Sequence, residues 1–295
     1  MPVPVHRHRP SLLIVGCGDI GLRVARLLNS HWRVLALSSS PSRRDELQAA
    51  GVTPLWGDLD RAETLGRLGG LAERVLHLAP PTPHGHQDLR TRHLLGALSR
   101  GGLTHTLVYA STTGVYGDCQ GAWIDETRGL APQTDRARRR ADAEAQLRWF
   151  GRRSGARVCI LRVPGIYALD RAGGDPRDRV RRGVPLLASD DDVFTNHIHA
   201  DDLARACIRA LHRVRPQRCV NVCDDSRLAM GDHFDLVADL SGLPRPARLT
   251  REEARERFSP MQWSFMNESR RISNDRLKRE LKLVLRYPTV EAALR

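Results

Sequence analysis

The stretch SLLIVGCGDIG, residues 11–21, decides how the rest of the chain reads. Leu12, Leu13, Ile14 and Val15 form an unbroken apolar run, the pattern of a strand buried on both faces of a parallel sheet. Gly16, Gly18 and Gly21 follow at the spacing G-x-G-x-x-G, and an amphipathic run over residues 22–28 continues as a helix. Each glycine has a task in such a turn: a tight bend, close approach of backbone to a pyrophosphate, and close helix–strand packing. The helix then directs its unpaired N–H groups and positive dipole end at the phosphates. Gly16, Gly18, Asp19, Ile20 and Gly21 are therefore the candidate seat of a dinucleotide.

Composition narrows the class around this motif. The 295 residues are 41% hydrophobic, enough for a globular core in one large or two modest domains. No apolar run approaches the roughly 20 residues that cross a bilayer. The start, MPVPVHRHRP, lacks the apolar stretch of a secretory signal and reads as a frayed end. Six scattered cysteines, several inside apparent strands or helices, suit a reduced cytoplasmic protein. The net charge of +13 invites a nucleic-acid reading, but the excess is arginine, spread over nearly every segment and interleaved with acids. No aromatic stacking platform lies among these arginines, so nucleic acid is set aside in favour of a solvated arginine-rich surface, with small anionic ligands as the alternative.

Outward from the first helix, a second strand covers residues 32–37. An acid about 20 residues past the first glycine would hold the 2′-hydroxyl of NAD. Ser38, Ser39, Ser40, Pro41, Ser42, Arg43 and Arg44 stand there instead. Hydroxyl and guanidinium groups suit a 2′-phosphate, so Ser38, Ser39 and Arg43 predict NADP(H) over NAD(H). A helix over 44–50 and a third strand over 52–56 lead to Gly57, Asp58 and Leu59. Asp58 is placed at the adenine edge with Leu59 beside the ring, and Asp60 as a helix cap. The fourth strand, 74–79, passes the cofactor's middle at Leu78 and Ala79. His84 and His86 lack an acid or cysteine at ligand spacing, so no metal is expected there.

A helix over 87–99 precedes a fifth strand over 106–110, followed by Ser111, Thr112, Thr113, Gly114, Val115, Tyr116, Gly117 and Asp118. Bunched hydroxyls at the end of a central parallel strand lie where such sheets carry chemistry. Strand alternating with helix five times predicts an α/β fold with a Rossmann-type, doubly wound parallel sheet. Further on, residues 157–161 and 220–222 read as strands, and 203–211, 226–240 and 251–257 as helices. Residues 170–183, rich in arginine and glycine, read as a loop plus a short helix, suited to an anionic substrate or simply carrying scattered surface charge. His197 and His199 are expected to pack, with Asp201 or Asp202 capping the helix that follows. Phe258, Trp263, Phe265 and Met266 are expected chiefly to fill a small second core, with a pocket cover as the alternative.

These residues together resemble the extended short-chain dehydrogenase/reductases, the NAD(P)-dependent epimerase/dehydratase group. The marks, in the family's order, are the glycine motif, Gly57-Asp58-Leu59, His77-Leu78-Ala79 and the segment STTGVYG at 111–117. LRVPGIY at 161–167, HIHADDLA at 197–204 and Tyr287-Pro288 continue the series. The two-residue spacing of the first glycines resembles an atypical branch. The resemblance implies that residues 1–168, with 191–223 returning to the sheet, bind NAD(P). It implies a smaller substrate-binding portion built from C-terminal insertions, residues 169–190 and 224–295, with 273–285 as a closing helix. It also implies a small-molecule substrate of nucleotide-sugar type and a homodimer formed through helices flanking the sheet.

The family's chemistry uses a Tyr-x-x-x-Lys pair on the helix after the fifth strand. No tyrosine here has a lysine four residues on, and the only lysines are Lys278 and Lys282. Aligning Ala143 and Glu144 with the family helix puts Arg136 at the tyrosine position and Arg140 at the lysine position. Arg140 keeps the charge and donors to hold the ribose. Arg136 has a pKa above about 12 and cannot act as the acid. Thr112 matches the family's hydroxyl that bonds the substrate oxygen, and Tyr116, with Asp118 behind it, is the nearest substitute proton carrier. Two functions follow as expectations: an NADP(H)-dependent enzyme with a substitute acid, or an NADP(H)-binding sensor without turnover.

Overall fold

The computed structural model describes residues 9–28, 31–213 and 215–295. Most of the frayed end expected at the N-terminus, residues 1–8, lies outside the described residues. Seven strands form one sheet: β1 (Ser11–Val15), β2 (Arg33–Ser38), β3 (Thr53–Trp56), β4 (Arg74–His77), β5 (Thr106–Thr112), β6 (Arg157–Val163) and β7 (Arg218–Asn221). Every pairing is parallel, and the spatial order is β7-β6-β5-β4-β1-β2-β3. The chain runs outward from β1 to β3 and then crosses back to place β4 on the other side of β1. That reversal opens a crevice beyond the carboxyl ends of β1 and β4, the place where such sheets bind ligands.

All five residues of β1 are buried because the sheet is covered on both faces. Leu12 and Ile14 share one apolar cluster with Val24 of α1 (Asp19–Leu27) and with Leu203 and Cys207 of the helix Ala200–Arg213. Leu13 and Val15 point the other way. They meet Leu94 and Leu98 of the helix Leu89–Ser99, and Leu147 and Phe150 of the helix Asp135–Ser154. Alternation along one strand thus feeds two helical layers. In chain order the remaining helices used below are α2 (Arg44–Ala49), α3 (Leu89–Ser99), α4 (Asp135–Ser154), α5 (Pro176–Arg181), α6 (Ala200–Arg213), α7 (Met230–Leu240), α8 (Arg251–Arg257) and α9 (Pro260–Met266). Three short parallel pairs lie beside the main sheet: Gly165–Tyr167 with His197–His199, Leu186–Leu187 with Arg248–Leu249, and Trp123–Ile124 with Arg271–Ile272. Leu186, Leu187, Met230, Ala254, Phe258 and Met266 form a separate apolar cluster, with Trp263 packed against it.

Several boundaries differ from the sequence reading for physical reasons. α6 begins at Ala200, so Asp201 and Asp202 lie inside its first turn. His199 Nδ1 instead accepts the Asp201 N–H at 3.2 Å. The Asp202 carboxylate, fully buried, accepts the backbone N–H groups of Arg286 and Tyr287 at 2.8–3.0 Å. It therefore pins the Tyr287-Pro288 segment. Asp60 caps no helix; it takes Nε and Nη2 of Arg90 at 2.7 and 2.6 Å, while Asp88 caps α3. α7 begins only at Met230, because Ala229 pairs with Phe194 as an antiparallel bridge. The closing helix is short, Asp275–Arg279. Leu281 and Leu283 both bury in the main core, and Lys282 between them turns to positive φ (+54°).

A buried charge pair ties the sheet to α4. Glu144 is 1% exposed and accepts Arg162 Nε at 3.1 Å, Arg162 Nη2 at 2.8 Å and Ser111 Oγ at 2.7 Å. The pair joins α4, β5 and β6 at the strand ends that border the crevice. Replacing Arg162 with methionine removes the buried partner and leaves the carboxylate its longer contact to Arg148, at 3.4 Å. We expect Arg162→Met to cost about 3–5 kcal/mol, read as a lower urea midpoint at unchanged slope.

Candidate functional site

The first turn after β1 is built by contacts that only glycine permits. Gly16 has φ +83°, and a Cβ there would stand 2.5 Å from the Ala79 nitrogen. Ala79 N–H and Leu78 N–H both donate to the Val15 carbonyl, at 3.0 and 2.8 Å, which locks the end of β4 against the turn. Gly21 packs tightly on Cys17 and Ile14, where an added Cβ would be 3.0 and 3.2 Å from side-chain atoms. Gly18 differs: nothing lies within 4 Å of the place a Cβ would take. It is also the N-cap of α1, and no side chain caps that helix. The first N–H groups of α1 thus open onto free space, as an anion site requires.

That space is a cleft of about 670 Å³. Gly16, Gly18, Asp19, Ile20, Gly21, Leu78, Thr112 and Arg140 all line it, so the structure brings these sequence candidates together. Ala79 sits beneath Gly16. The other candidates occupy the neighbouring strand ends. Arg43 Nη1 donates to the Cys17 carbonyl at 2.7 Å, which ties the loop after β2 to the glycine turn. Ser38 Oγ accepts the Ser40 N–H, and Ser39 is exposed. Asp58 Oδ1 accepts the Asp60 N–H at 3.0 Å, and the Leu59 carbonyl takes His93 Nδ1 at 2.7 Å. Arg140 Nη1 donates to the Ala110 carbonyl (2.7 Å) and the Tyr109 hydroxyl (3.0 Å), which fixes its guanidinium at the end of β5.

Tyr116 is not brought to the cleft. It is 1% exposed, its hydroxyl donates to Asn221 Oδ1 at 2.7 Å, and the Arg162 guanidinium lies 4.7 Å over its ring. Burial pushes its hydroxyl pKa above the ordinary tyrosine value. Asp118 is likewise engaged, with Oδ1 accepting the N–H groups of Gln120 and Ser269. The geometry gives both residues hydrogen-bond partners outside the cleft lining. Thr112 stays at the cleft, where its side chain accepts the Gly114 N–H at 3.2 Å.

The cleft's charge is lopsided. Arg136, Arg140, Arg171, Arg179 and Arg270 line it, against Asp19 and Glu268. Asp19 would repel a phosphate by itself, but it is held by Arg23 at 3.0 Å and by Arg171 at 3.1 Å. Arg23, 8% exposed, also bonds Asp170 and Asp201 and so couples α1 to α6 and to the loop after Tyr167. Arg136, at the expected tyrosine position, lies 4.7 Å from the centre of the Phe265 ring. Glu268 Oε2 accepts Arg270 Nη1 at 2.7 Å, and that same nitrogen donates to the Gly117 carbonyl at 2.7 Å. Glu268 is therefore seated beside the hydroxyl-bearing loop that follows β5. His197 also faces the cleft; burial lowers its pKa to about 4, so its ring is neutral at pH 7.

Glu268 and Arg270 escaped the sequence reading, because an irregular segment after a short helix offers no periodicity. Phe265 and Met266 divide the aromatic group between its two expected tasks. Both line the cleft, while Phe258 and Met266 fill the second apolar cluster. Among the described residues, no group of three or more His, Cys, Asp or Glu is placed to hold a metal, and no helix is long and apolar enough to cross a membrane.

Comparison with known proteins adds to this geometry. Residues 12–223 match the NAD dependent epimerase/dehydratase family. Protein YeeZ of Escherichia coli K12 is 26% identical over 244 residues, 79% of this chain and 84% of its own length. GDP-6-deoxy-D-mannose reductase of Pseudomonas aeruginosa is 26% identical over 266 residues, 81% of this chain and 84% of its own length. A functionally unknown conserved protein of Silicibacter pomeroyi superposes with a TM-score of 0.81 at 29% identity, covering 97% of this chain and 96% of its own. UDP-glucose 4-epimerase of Thermotoga maritima, solved with UDP-glucose, gives 0.78 at 18% identity, covering 96% of each chain. UDP-glucuronic acid 4-epimerase of Bacillus cereus, in complex with NAD, gives 0.75 at 16% identity, also over 96% of each chain. These last two show the fold.

The glycine turn yields a paired prediction. Gly16→Ala forces a strained backbone against Ala79 and is expected to lower Tm by several degrees and abolish dinucleotide binding. Gly18→Ala meets no protein atom and is expected to keep the wild-type Tm while weakening dinucleotide binding about tenfold or more. Thermal melts and calorimetric titration of both variants check the split.

Proposed function

The chain belongs to the NAD dependent epimerase/dehydratase family, and from that premise we propose that it is an NADP(H)-dependent oxidoreductase or epimerase/dehydratase-like enzyme. Its substrate is a sugar-nucleotide-like or other anionic compound with a carbonyl or hydroxyl group. The observation that carries the reading is the uncapped start of α1, with Gly18 clear of all neighbours, opening into an arginine-lined cleft. The sugar-nucleotide relatives support the substrate class. Residues 1–168 with 191–223 hold the cofactor on this reading, and residues 169–190 with 224–295 hold the substrate.

The residues present fit a nicotinamide dinucleotide. The first-turn N–H groups of α1 take the pyrophosphate, and Arg140 takes the ribose at the reactive end. Asp58 and Leu59 border the adenine. Ser38, Ser39 and Arg43 favour a 2′-phosphate, which a guanidinium binds through paired N–H donors. When bound, the nicotinamide ring supplies or accepts the hydride. Thr112 Oγ orients the substrate oxygen. No tyrosine or lysine lines the cleft among the described residues, so the proton task falls to Glu268. Arg270 holds its Oε2, which leaves Oε1 to exchange a proton with the substrate oxygen.

The absence of tyrosine and lysine from the cleft lining also favours a second reading, an NADP(H)-binding sensor without turnover. NADPH oxidation over a panel of sugar nucleotides and small carbonyls separates the two. Tight cofactor binding with no substrate consumed by any panel member selects the sensor.

Two outcomes are expected. NADP(H) binds about tenfold or more tightly than NAD(H), and Arg43→Ala removes most of that difference; tighter NAD(H) binding by calorimetry overturns the preference. Glu268→Gln lowers kcat about 100-fold while the NADPH Kd stays within about twofold of wild type. Full turnover in that variant removes Glu268 from proton transfer.

A further inference from the structure

A second cavity, of about 550 Å³, adjoins the cleft behind Ile166 and Phe234. Cleft and cavity share Gly165, Ile166, Arg179, His197 and Phe234 in their walls, so one extended molecule can reach from one into the other. Arg179 stands at this junction on α5. Its situation is unlike that of its neighbours on the same helix. Arg177 is paired with Asp175 at 2.6 Å, and Arg181 with Asp178 at 2.9 Å. Arg179 has no carboxylate partner among the described residues. Its Nε is buried without a hydrogen bond, and its Nη2 reaches only the Pro185 carbonyl, at 3.5 Å. The guanidinium rests 5.0 Å from the centre of the Phe234 ring.

A half-buried cation without a counter-ion is costly unless a ligand supplies one. The two carboxylates in the cavity wall, Asp175 and Asp178, are already engaged by Arg177 and Arg181. His197 and His233 close another side, stacked with ring centres 4.0 Å apart and planes 16° apart. His233 is 1% exposed, and its Nδ1 has no partner. Burial lowers the pKa of both rings, so at pH 7 they present neutral aromatic walls that offer N–H donors and no competing charge.

We propose that the Arg179 cavity is a subsite for a terminal oxyanion of the substrate, a phosphate ester or a carboxylate remote from the carbonyl or hydroxyl group that reacts in the cleft. The proposal rests on the reading of the cleft as the place of hydride transfer. It adds that the substrate is long enough to pass Phe234 and ends in an anion. A guanidinium offers two parallel N–H groups to either oxyanion, and the aromatic walls exclude water from the contact.

The test titrates the folded full chain, saturated with NADP+, with glycerol 3-phosphate in one arm and glutarate in the other. At least one probe is expected to bind. Arg179→Gln is expected to weaken it about tenfold or more, Arg179→Lys to restore part of the affinity, and Arg209→Gln, an exposed control on α6, to change it less than about twofold. Binding of glycerol 3-phosphate alone assigns a phosphate ester, and binding of glutarate alone assigns a carboxylate. On the wild-type protein, the Arg179 side-chain N–H resonance is expected to shift with the same probe, a readout that needs no variant to fold. The proposal is overturned when neither probe binds at about 50 mM, when Arg179→Gln binds like wild type, or when the Arg179 resonance does not move. Should NADP+ itself fail to bind, the function proposed above falls, while the same titrations on the cofactor-free protein still decide the subsite.

Discussion

Backbone meets backbone where Gly16 passes Ala79, and the rest of the architecture is arranged around that contact. A side chain at Gly16 has no room: its Cβ would collide with the Ala79 nitrogen at 2.5 Å. Because the turn is this tight, β1 and β4 end side by side and α1 starts immediately above them. The reversal of strand order at the same place keeps any other element from covering the helix start. A free helix N-terminus, with its partial positive charge, favours an anion at that place.

Charge around this start is balanced by long-range pairs. Asp19 lies in the first turn of α1, where an acid favours the helix and disfavours a bound phosphate. Arg23 and Arg171 resolve the conflict by holding its two oxygens. Arg23 reaches three carboxylates from three segments, Asp19, Asp170 and Asp201. It thereby fastens the arginine-rich loop against the start of α1. A guanidinium suits this work better than an ammonium, because its planar fork serves several oxygens at fixed angles. Across the sheet, Arg162 does the same for Glu144 and also stacks on Tyr116. The arginine excess is thus only partly a solvated surface; some of it is internal wiring.

The fate of Tyr116 shows where neighbourhood in sequence misleads. Thr112 and Tyr116 are four residues apart, and a single turn of helix would set them on one face. The intervening residues instead form a 3-10 turn, Thr113–Tyr116, that ends at Gly117 with φ +67°. That turn leaves Thr112 at the cleft and drives the Tyr116 ring into the interior, toward Asn221 of β7. Glu268 reaches the cleft from much later in the chain. Its neighbour Ser269 donates its N–H to Asp118, which brings the segment beside the same loop.

Local rules carried the sequence a long way. The apolar run of β1, the three glycines and the alternation of strand with helix depend on neighbours in the chain, so they were legible from residues 11–21 outward. The cleft-lining candidates Gly16, Gly18 and Leu78 were legible for the same reason, since each follows the end of a strand, whereas Thr112 closes β5 and Arg140 lies on α4. Three things were decided only by tertiary packing. Asp202 anchors Arg286 and Tyr287 across 84 and 85 residues of sequence. Glu268 reaches the cleft from an irregular segment. Arg179 is the arginine of α5 left without an acid. Whether a charged side chain ends in water, on a partner or in an empty cavity depends on what lies across the fold from it. Periodicity reports which face a residue occupies, and it carries no record of what that face meets.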